Sequence, residues 1–217
     1  MQFLSLNDAY KIQNRLWKNS EHVCAWKLGG TNSLTRDLFA INEPYFGFLT
    51  SQNLLQSGPK VVENLDQFEL EICFQTPTNF DHNIDYSLEE IMAWKRFLCL
   101  EFPFSKIVDI PAKGVSHLVA DNCAAGQLFV SQIEIASVTP PDYELYVRGE
   151  RVVDRLALTR NPFSIINQFL EIARFHEFKV LGGQYLALGG VSMIQKLQAE
   201  DSVQVYCDDR LVLDYVQ

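Results

Sequence analysis

Runs of basic residues, long apolar stretches and regularly spaced cysteines are all missing from this 217-residue sequence. Its 18 Lys and Arg are scattered among 27 Asp and Glu, for a formal charge of -9. Phosphate binding draws most of its affinity from clustered cations, so no nucleic-acid partner is expected. No apolar run is long enough to cross a bilayer, and the opening "MQFLSLNDAYKIQ" lacks a basic segment followed by an apolar one. Neither membrane insertion nor export is therefore expected. The five cysteines, Cys24, Cys73, Cys99, Cys123 and Cys207, are odd in number, far apart and mostly in apolar segments. That excludes a disulfide framework and a CxxC zinc site, and it fits a reducing cytoplasm. The glycines of "LGGQYLALGG" have no G-K-S/T after them, and no G-x-G-x-x-G occurs, so no nucleotide site is expected. Repeats, low-complexity tracts and dividing linkers are absent too.

What is present is enough apolar material for a full core, with 47% hydrophobic and 12% aromatic residues. One domain over residues 1–217, with a small helical amino-terminal part, is the expected organisation. Ala9, Ile12 and Leu16 recur at helical spacing, which predicts an amphipathic helix over residues 6–18. "VCAWKL" (Val23–Leu28) reads as a buried strand ending at Gly29 and Gly30, and Ser33 as the cap of a short helix to about Ala40. "NEPYFGFLT" reads as a turn entering extended chain. Ser87 and Glu90 form a capping box before Ile91, Trp94 and Leu98, which predicts a further helix. Later come a strand in "QLFVSQIEI" and hairpins in "YELYVRGERVV" and "SVQVYCDDRLVLDYV". Between the hairpins Asn161 and Pro162 start a helix with Ile165, Phe169 and Ile172 on one face. Lacking a regular βαβ alternation, the mixture indicates an α+β chain with a largely β core.

Against this background "DQFELEICF" stands out. In a strand Glu69 and Glu71 point to one side, while Phe68, Leu70 and Ile72 point to the other. The bland reading puts both glutamates in water, on a half-exposed strand. A third acid, Glu101, argues otherwise, because it is isolated in the apolar "FLCLEFPF", where an unpaired charge would cost several kcal/mol. A hard divalent cation would relieve all three, leaving about half of an octahedral shell for water or substrate oxygens. Three carboxylates against a 2+ ion leave one negative charge in excess. Lys27, in "CAWKLGG", could balance it or bind a substrate carboxylate; otherwise it is a strand-end lysine with its head in solvent.

These stretches resemble the 2-keto-4-pentenoate hydratases and 4-oxalocrotonate decarboxylases of the fumarylacetoacetate hydrolase superfamily. "AWKLGGTNSLTRDLFAINEPYFGFL" is similar to the family's G-W-K-I-G-x-T followed by P-D-F-G. "VVENLDQFELEICF" resembles its V-E-x-E-I-A-F, "CLEFPFSKIVD" its L-E-I-V-D-S-R, "VADNCAAGQLFV" its V-A-D-N-A-S-S-G, and "GGQYLALGG" its G-D-V-V-L-T-G. The matches keep the family's order over nearly the whole chain. The resemblance implies an α+β fold, a mixed β-roll with peripheral helices. It implies Mg²⁺ or Mn²⁺ held by Glu69, Glu71 and Glu101, and Lys27 as the active-site lysine. It implies a hydratase-like lyase acting on a small 2-oxo acid or 2-hydroxydienoate, and a homo-oligomer. The alternatives are a decarboxylase or tautomerase with the same enolate chemistry, or a non-catalytic relative that binds metal and a 2-oxo acid.

Departures from the motifs cluster where the family binds substrate. Tyr45 stands at the aspartate of P-D-F-G, Ala124 and Ala125 at the two serines, Leu188 at the threonine and Phe39 at a leucine. Phe39, Tyr45, Ala125 and Leu188 are thus the expected substrate-binding positions, in a pocket drier and bulkier than the family's. Tyr45 could donate a hydrogen bond or simply pack. The four histidines are far apart and are expected to be structural, with His117 alone close to a motif. Cys99 and Cys123 lie near matched motifs but in apolar surroundings, where a thiol is inert.

Overall fold

Hydrogen-bonded caps and strand pairing divide the chain much as its patterning suggests. The computed structural model describes residues 4–55, 66–136 and 142–216; Val61–Leu65 of the "VVENLDQFELEICF" motif lie outside them. Helix α1 (Leu6–Lys18) starts at Ser5, whose side chain accepts the Asp8 N–H. Strand β1 (Val23–Gly29) leads to α2 (Ser33–Phe39), then β2 (Tyr45–Thr50) and β3 (Leu54–Leu55). Strand β4 (Gln67–Gln75) is followed by α3 (Leu88–Met92) and β5 (Lys95–Phe102). Helices α4 (Ile110–Lys113) and α5 (Val115–Ala120) precede β6 (Gln127–Val130). The hairpin of β7 (Tyr143–Val147) and β8 (Glu150–Val152) is followed by α6 (Pro162–Phe175) and β9 (Tyr185–Gly190). Strand β10 (Gln195–Lys196) and the hairpin of β11 (Ser202–Cys207) and β12 (Arg210–Val216) complete the order.

The strands form two sheets. The larger runs β2-β1-β9-β4-β5-β6-β3, with β10 paired to β4, and the smaller runs β12-β11-β7-β8. Strands β1 and β9, and β3 and β6, are parallel, while the other pairs are antiparallel. The α+β, mixed-sheet architecture expected from the sequence is therefore present.

Period-two alternation gives the large sheet two different faces. One face carries Trp26 and Leu28, Phe68, Leu70, Ile72 and Phe74, and Leu98, Leu100 and Phe102 into the main core. Helix α6 adds Ile165 and Phe169 to it, with Ile172 part-buried against them, as the helical spacing predicts, and Ile166 is buried there as well. On the other face Ala25, Cys73, Phe97, Cys99, Leu128 and Ala187 make a smaller apolar cluster. The same alternation places Lys27, Glu69, Glu71 and Glu101 on this second face, beside the small cluster.

Four expectations need correction. Helix α1 buries Ala9, Tyr10, Gln13 and Asn14, leaving Ile12 and Leu16 exposed, because Gln13 reaches the Phe46 carbonyl at 2.6 Å. Helix α2 is capped by Asn32, one residue before Ser33. The capping box of Ser87 and Glu90 forms, but α3 stops at Met92, and Leu98 belongs to β5 because that segment pairs with β4 along seven registered positions. In "QLFVSQIEI" only Gln127–Val130 is strand. Both predicted hairpins form, turning through left-handed Arg148 and Gly149 in one and Asp208 and Asp209 in the other.

Candidate metal centre

Strands β4 and β5 lie side by side, with Glu69 directly opposite Glu101 and Glu71 opposite Cys99. Because i and i+2 share a face, this register brings all three acids together, and each offers an oxygen within 4.8 Å of the others. Glu71 and Glu101 are fully buried and Glu69 is half-buried. Glu71 Oε2 accepts the Gly189 N–H at 3.0 Å. Among the described residues Glu71 Oε1 and Glu101 Oε2 have no hydrogen-bond partner, and Glu101 Oε1 has only the Lys27 ammonium, 3.1 Å away.

The electrostatics follow from burial. Desolvation raises the pKa of all three carboxyls, Glu101 to about 7, and mutual repulsion raises Glu71 further. Lys27 is pulled both ways: burial lowers its pKa, but Glu101, Glu69 and Glu71 together outweigh that and hold it above the ordinary lysine value. An all-oxygen donor set with orphaned buried carboxylate atoms fits a hard divalent cation, which would satisfy the vacant lone pairs and neutralise the surplus charge.

A cavity of about 230 Å³ opens onto this cluster, bordered by Lys27, Glu69 and Glu71 together with Phe39 and Tyr45. Tyr45 lies over Gly29, where any Cβ would fall 2.2 Å from its ring, and Phe39 meets it edge-on at 6.0 Å. Burial pushes the Tyr45 pKa up, so its hydroxyl stays protonated. The structure does not bring Ala125 and Leu188 to the cavity. Leu188 is buried in the main core, since alternation along β9 sends it to the opposite face from Ala187. Ala125 packs beside Gly47 of β2 and the smaller cluster, and Ala124 borders the cavity instead.

Several lining residues went unassigned at the level of sequence. Thr31, Asn32 and Thr35 lie on the loop entering α2 and on its first turn. Thr31 is 2% exposed, and its hydroxyl has no hydrogen-bond partner among the described residues. Gly189, at φ +99, leaves it room: a Cβ there would lie 2.0 Å from Thr31 Oγ1. The only signal was the position of Thr31 within "KLGGT", just past the end of a buried strand. Cys123 and Ala124 arrive on a turn in which Asn122, Cys123 and Ala124 are consecutively left-handed, at φ 54, 57 and 54. Asn122 fixes that turn to β2 by accepting the Phe48 N–H at 2.9 Å and donating to the Phe48 carbonyl at 2.8 Å. Burial raises the Cys123 pKa, and its thiol donates to the Phe46 carbonyl, so it is unsuited to be a nucleophile. No histidine borders the cavity among the described residues; His117 Nδ1 lies 2.8 Å from the Lys113 carbonyl.

No protein-family model matches the sequence, and no curated protein matches it in sequence. Solved structures do match in shape. The 4-oxalocrotonate decarboxylase from Pseudomonas putida G7, complexed with calcium and acetate, superposes with a TM-score of 0.78 at 17% identity, over 97% of this chain and 85% of that one. The same enzyme complexed with magnesium and adipate gives the same values. A fumarylacetoacetate hydrolase family protein from Yersinia pestis matches with a TM-score of 0.61 at 14% identity, over 90% of this chain and 93% of that one. At such identities the likeness speaks to architecture, and the architecture of this chain is the α+β, mixed-sheet fold of the fumarylacetoacetate hydrolase type.

Proposed function

We propose that this protein is a divalent-metal-dependent enzyme of the fumarylacetoacetate hydrolase superfamily, a hydratase-like lyase acting on a small 2-oxo acid or 2-hydroxydienoate. The observation that carries the reading is the convergence of three carboxylates, two of them fully buried and under-satisfied, and one lysine beside a cavity of substrate size. The fold supports it, as do the ligands of the Pseudomonas putida decarboxylase structures, which contain calcium or magnesium.

Glu69, Glu71 and Glu101 would hold Mg²⁺ or Mn²⁺, with the Gly189 N–H fixing the orientation of Glu71. The ion would supply Lewis-acid polarisation of a substrate oxygen and countercharge for a developing enolate. Lys27 does not serve as a base in the resting site, because the glutamates favour its protonated form. Its role is a fixed cation, pinned by Glu101, that binds a substrate carboxylate and can donate a proton as negative charge builds. Tyr45, neutral and close by, is a second donor. A variant of the reading replaces water addition by decarboxylation or tautomerisation. It is favoured by the identity of the side chains at two expected polar positions, Tyr45 and Ala124, neither of which is suited to activate water.

The test incubates the Mn²⁺-loaded protein with 2-hydroxydienoates and 2-oxo acids, following dienol absorbance and release of carbon dioxide. Water addition supports the hydratase and carbon dioxide the decarboxylase; no turnover across a broad panel leaves a binding protein. Lys27→Met should lower kcat/KM for any turned-over substrate by at least about 100-fold, while Mg²⁺ affinity stays equal or rises as a neighbouring positive charge is lost. Full activity in Lys27→Met would remove the lysine from the mechanism.

A further inference from the structure

The cavity beside the acid cluster has two ends of opposite character. At the inner, buried end are Glu69, Glu71 and Lys27, with the Thr31 hydroxyl beside Gly189, buried and without a hydrogen-bond partner among the described residues. Most of the remaining lining is apolar, and its exposed members Leu38, Pro111 and Ile194 mark the outer end, while the polar Asn32 and Thr35 side chains are hydrogen-bonded to Gly190 and to Asn32. Lys27 is the one cation among the described lining residues, and it is already engaged by Glu101.

We infer that the site selects a 2-oxo acid with one carboxylate and an apolar tail, and discriminates against dicarboxylates. The inference rests on the proposed function and narrows it. Three carboxylates, one ammonium and a divalent ion sum to no net charge, so one substrate carboxylate, held by the ion and the Lys27 ammonium, already takes the inner end to -1 and no positive charge remains for a second. There the Thr31 hydroxyl gains the partner it lacks, by donating to a carboxylate oxygen. A second carboxylate at the far end of the substrate would be desolvated against mostly alkyl and aromatic walls, with no second cation among the described lining residues and with the Asn32 and Thr35 donors already engaged. An alkyl tail of similar length instead removes apolar surface from water on both sides.

The matched pair 2-oxopentanoate and 2-oxoglutarate, five carbons each, tests this by calorimetry on the Mg²⁺-loaded protein, with oxalate as a probe of the inner end alone. We expect oxalate to bind and 2-oxopentanoate to bind at least tenfold more tightly than 2-oxoglutarate. Leu38→Arg, at a half-exposed position that tolerates a long side chain, should reduce that ratio at least tenfold by giving the distal carboxylate a partner. Ile194→Arg is a second such variant, also half-exposed. Thr31→Val should weaken oxalate while leaving the ratio unchanged. If oxalate binds but 2-oxoglutarate equals or exceeds 2-oxopentanoate, the selectivity is wrong and the proposed function stands. A preference that neither arginine alters places the tail elsewhere and overturns the inference. If none of the three acids binds, both the inference and the proposed function fall.

Discussion

Burial of Glu69, Glu71 and Glu101 makes metal and protons competitors for the same oxygens. Glu101 titrates in the folded protein at about 7 and in a solvated chain at 4.5, and Glu71 is also raised. Between those values the folded state holds more protons than the unfolded one. These groups therefore make the metal-free protein lose stability as pH rises from about 4.5 through 7. Metal binding needs them ionised, so it must release protons and strengthen over the same range. The melting-temperature gain from Mg²⁺ should be small at pH 6 and large at pH 8, and calorimetry in buffers of different ionisation enthalpy should show proton release. Buffer-independent heats would mean the carboxyls are already charged. Glu71→Gln keeps an acceptor for the Gly189 N–H and removes a buried charge. In EDTA at pH 8 it should be more stable than the parent by about 1–3 kcal/mol, with no response to Mg²⁺; a parent-like Mg²⁺ shift would remove Glu71 from the ligand set. The convergence of Glu69 and Glu71 was legible because strand period fixes it. Their convergence with Glu101 depended on the β4/β5 register, which sequence spacing alone does not contain. Leu188 was misplaced because a motif position carries no statement of which strand face it occupies.

Local signals fixed where elements begin better than where they end. The capping box at Ser87 starts α3 as predicted, yet the helix is only five residues long, because the strand pairing of Lys95–Phe102 takes the following segment. In α1 the period was right and the buried face was wrong: a polar residue, Gln13, is inside because it completes the hydrogen bonding of β2. Strand β2 is an edge of the large sheet, and Gln13 with the left-handed turn at Asn122–Ala124 covers it. That turn holds three non-glycine residues at positive φ, each costing of order 1–3 kcal/mol, and persists only because surrounding bonds determine it. Asn122→Ala removes both side-chain bonds to Phe48, leaving its N–H and carbonyl unmatched. It should lower stability by about 2–4 kcal/mol in denaturant unfolding, and weaken Mg²⁺-dependent ligand binding by loosening Cys123 and Ala124 at the cavity. A loss below about 0.5 kcal/mol would show that the turn holds its own shape.

For the molecule as a whole, the architecture was legible even though no family model matches the sequence. The matching stretches are those whose geometry is constrained by the acid cluster, the lysine strand and the turn against β2, and they occur in one order along the chain. Assembly is a separate matter, since neither strand register nor side-chain burial within one chain determines it. Large apolar side chains are left in solvent by this fold, among them Phe175 at the end of α6, 77% exposed, and Phe104 and Val108 between β5 and α4. Isolated exposed residues are ordinary on a monomer, but two of these three lie together on the segment leading to the cavity-lining Ile110 and Pro111. Covering that segment with a second copy would bury apolar surface and stiffen one wall of the cavity. Two such chains each carry a formal charge of -9, so association is opposed by repulsion acting over roughly a Debye length, about 8 Å in physiological salt. A homo-oligomer, at least a dimer, is therefore expected to form at micromolar concentration and to tighten as salt rises, the reverse of an assembly held by ion pairs. Light scattering across 0.05 to 0.5 M NaCl (values on the order of those that move the Debye length from above to below the contact distance) reads both the mass and its trend. A monomer throughout would overturn the expectation. A dimer that dissociates in high salt would replace its apolar contact by a charged one.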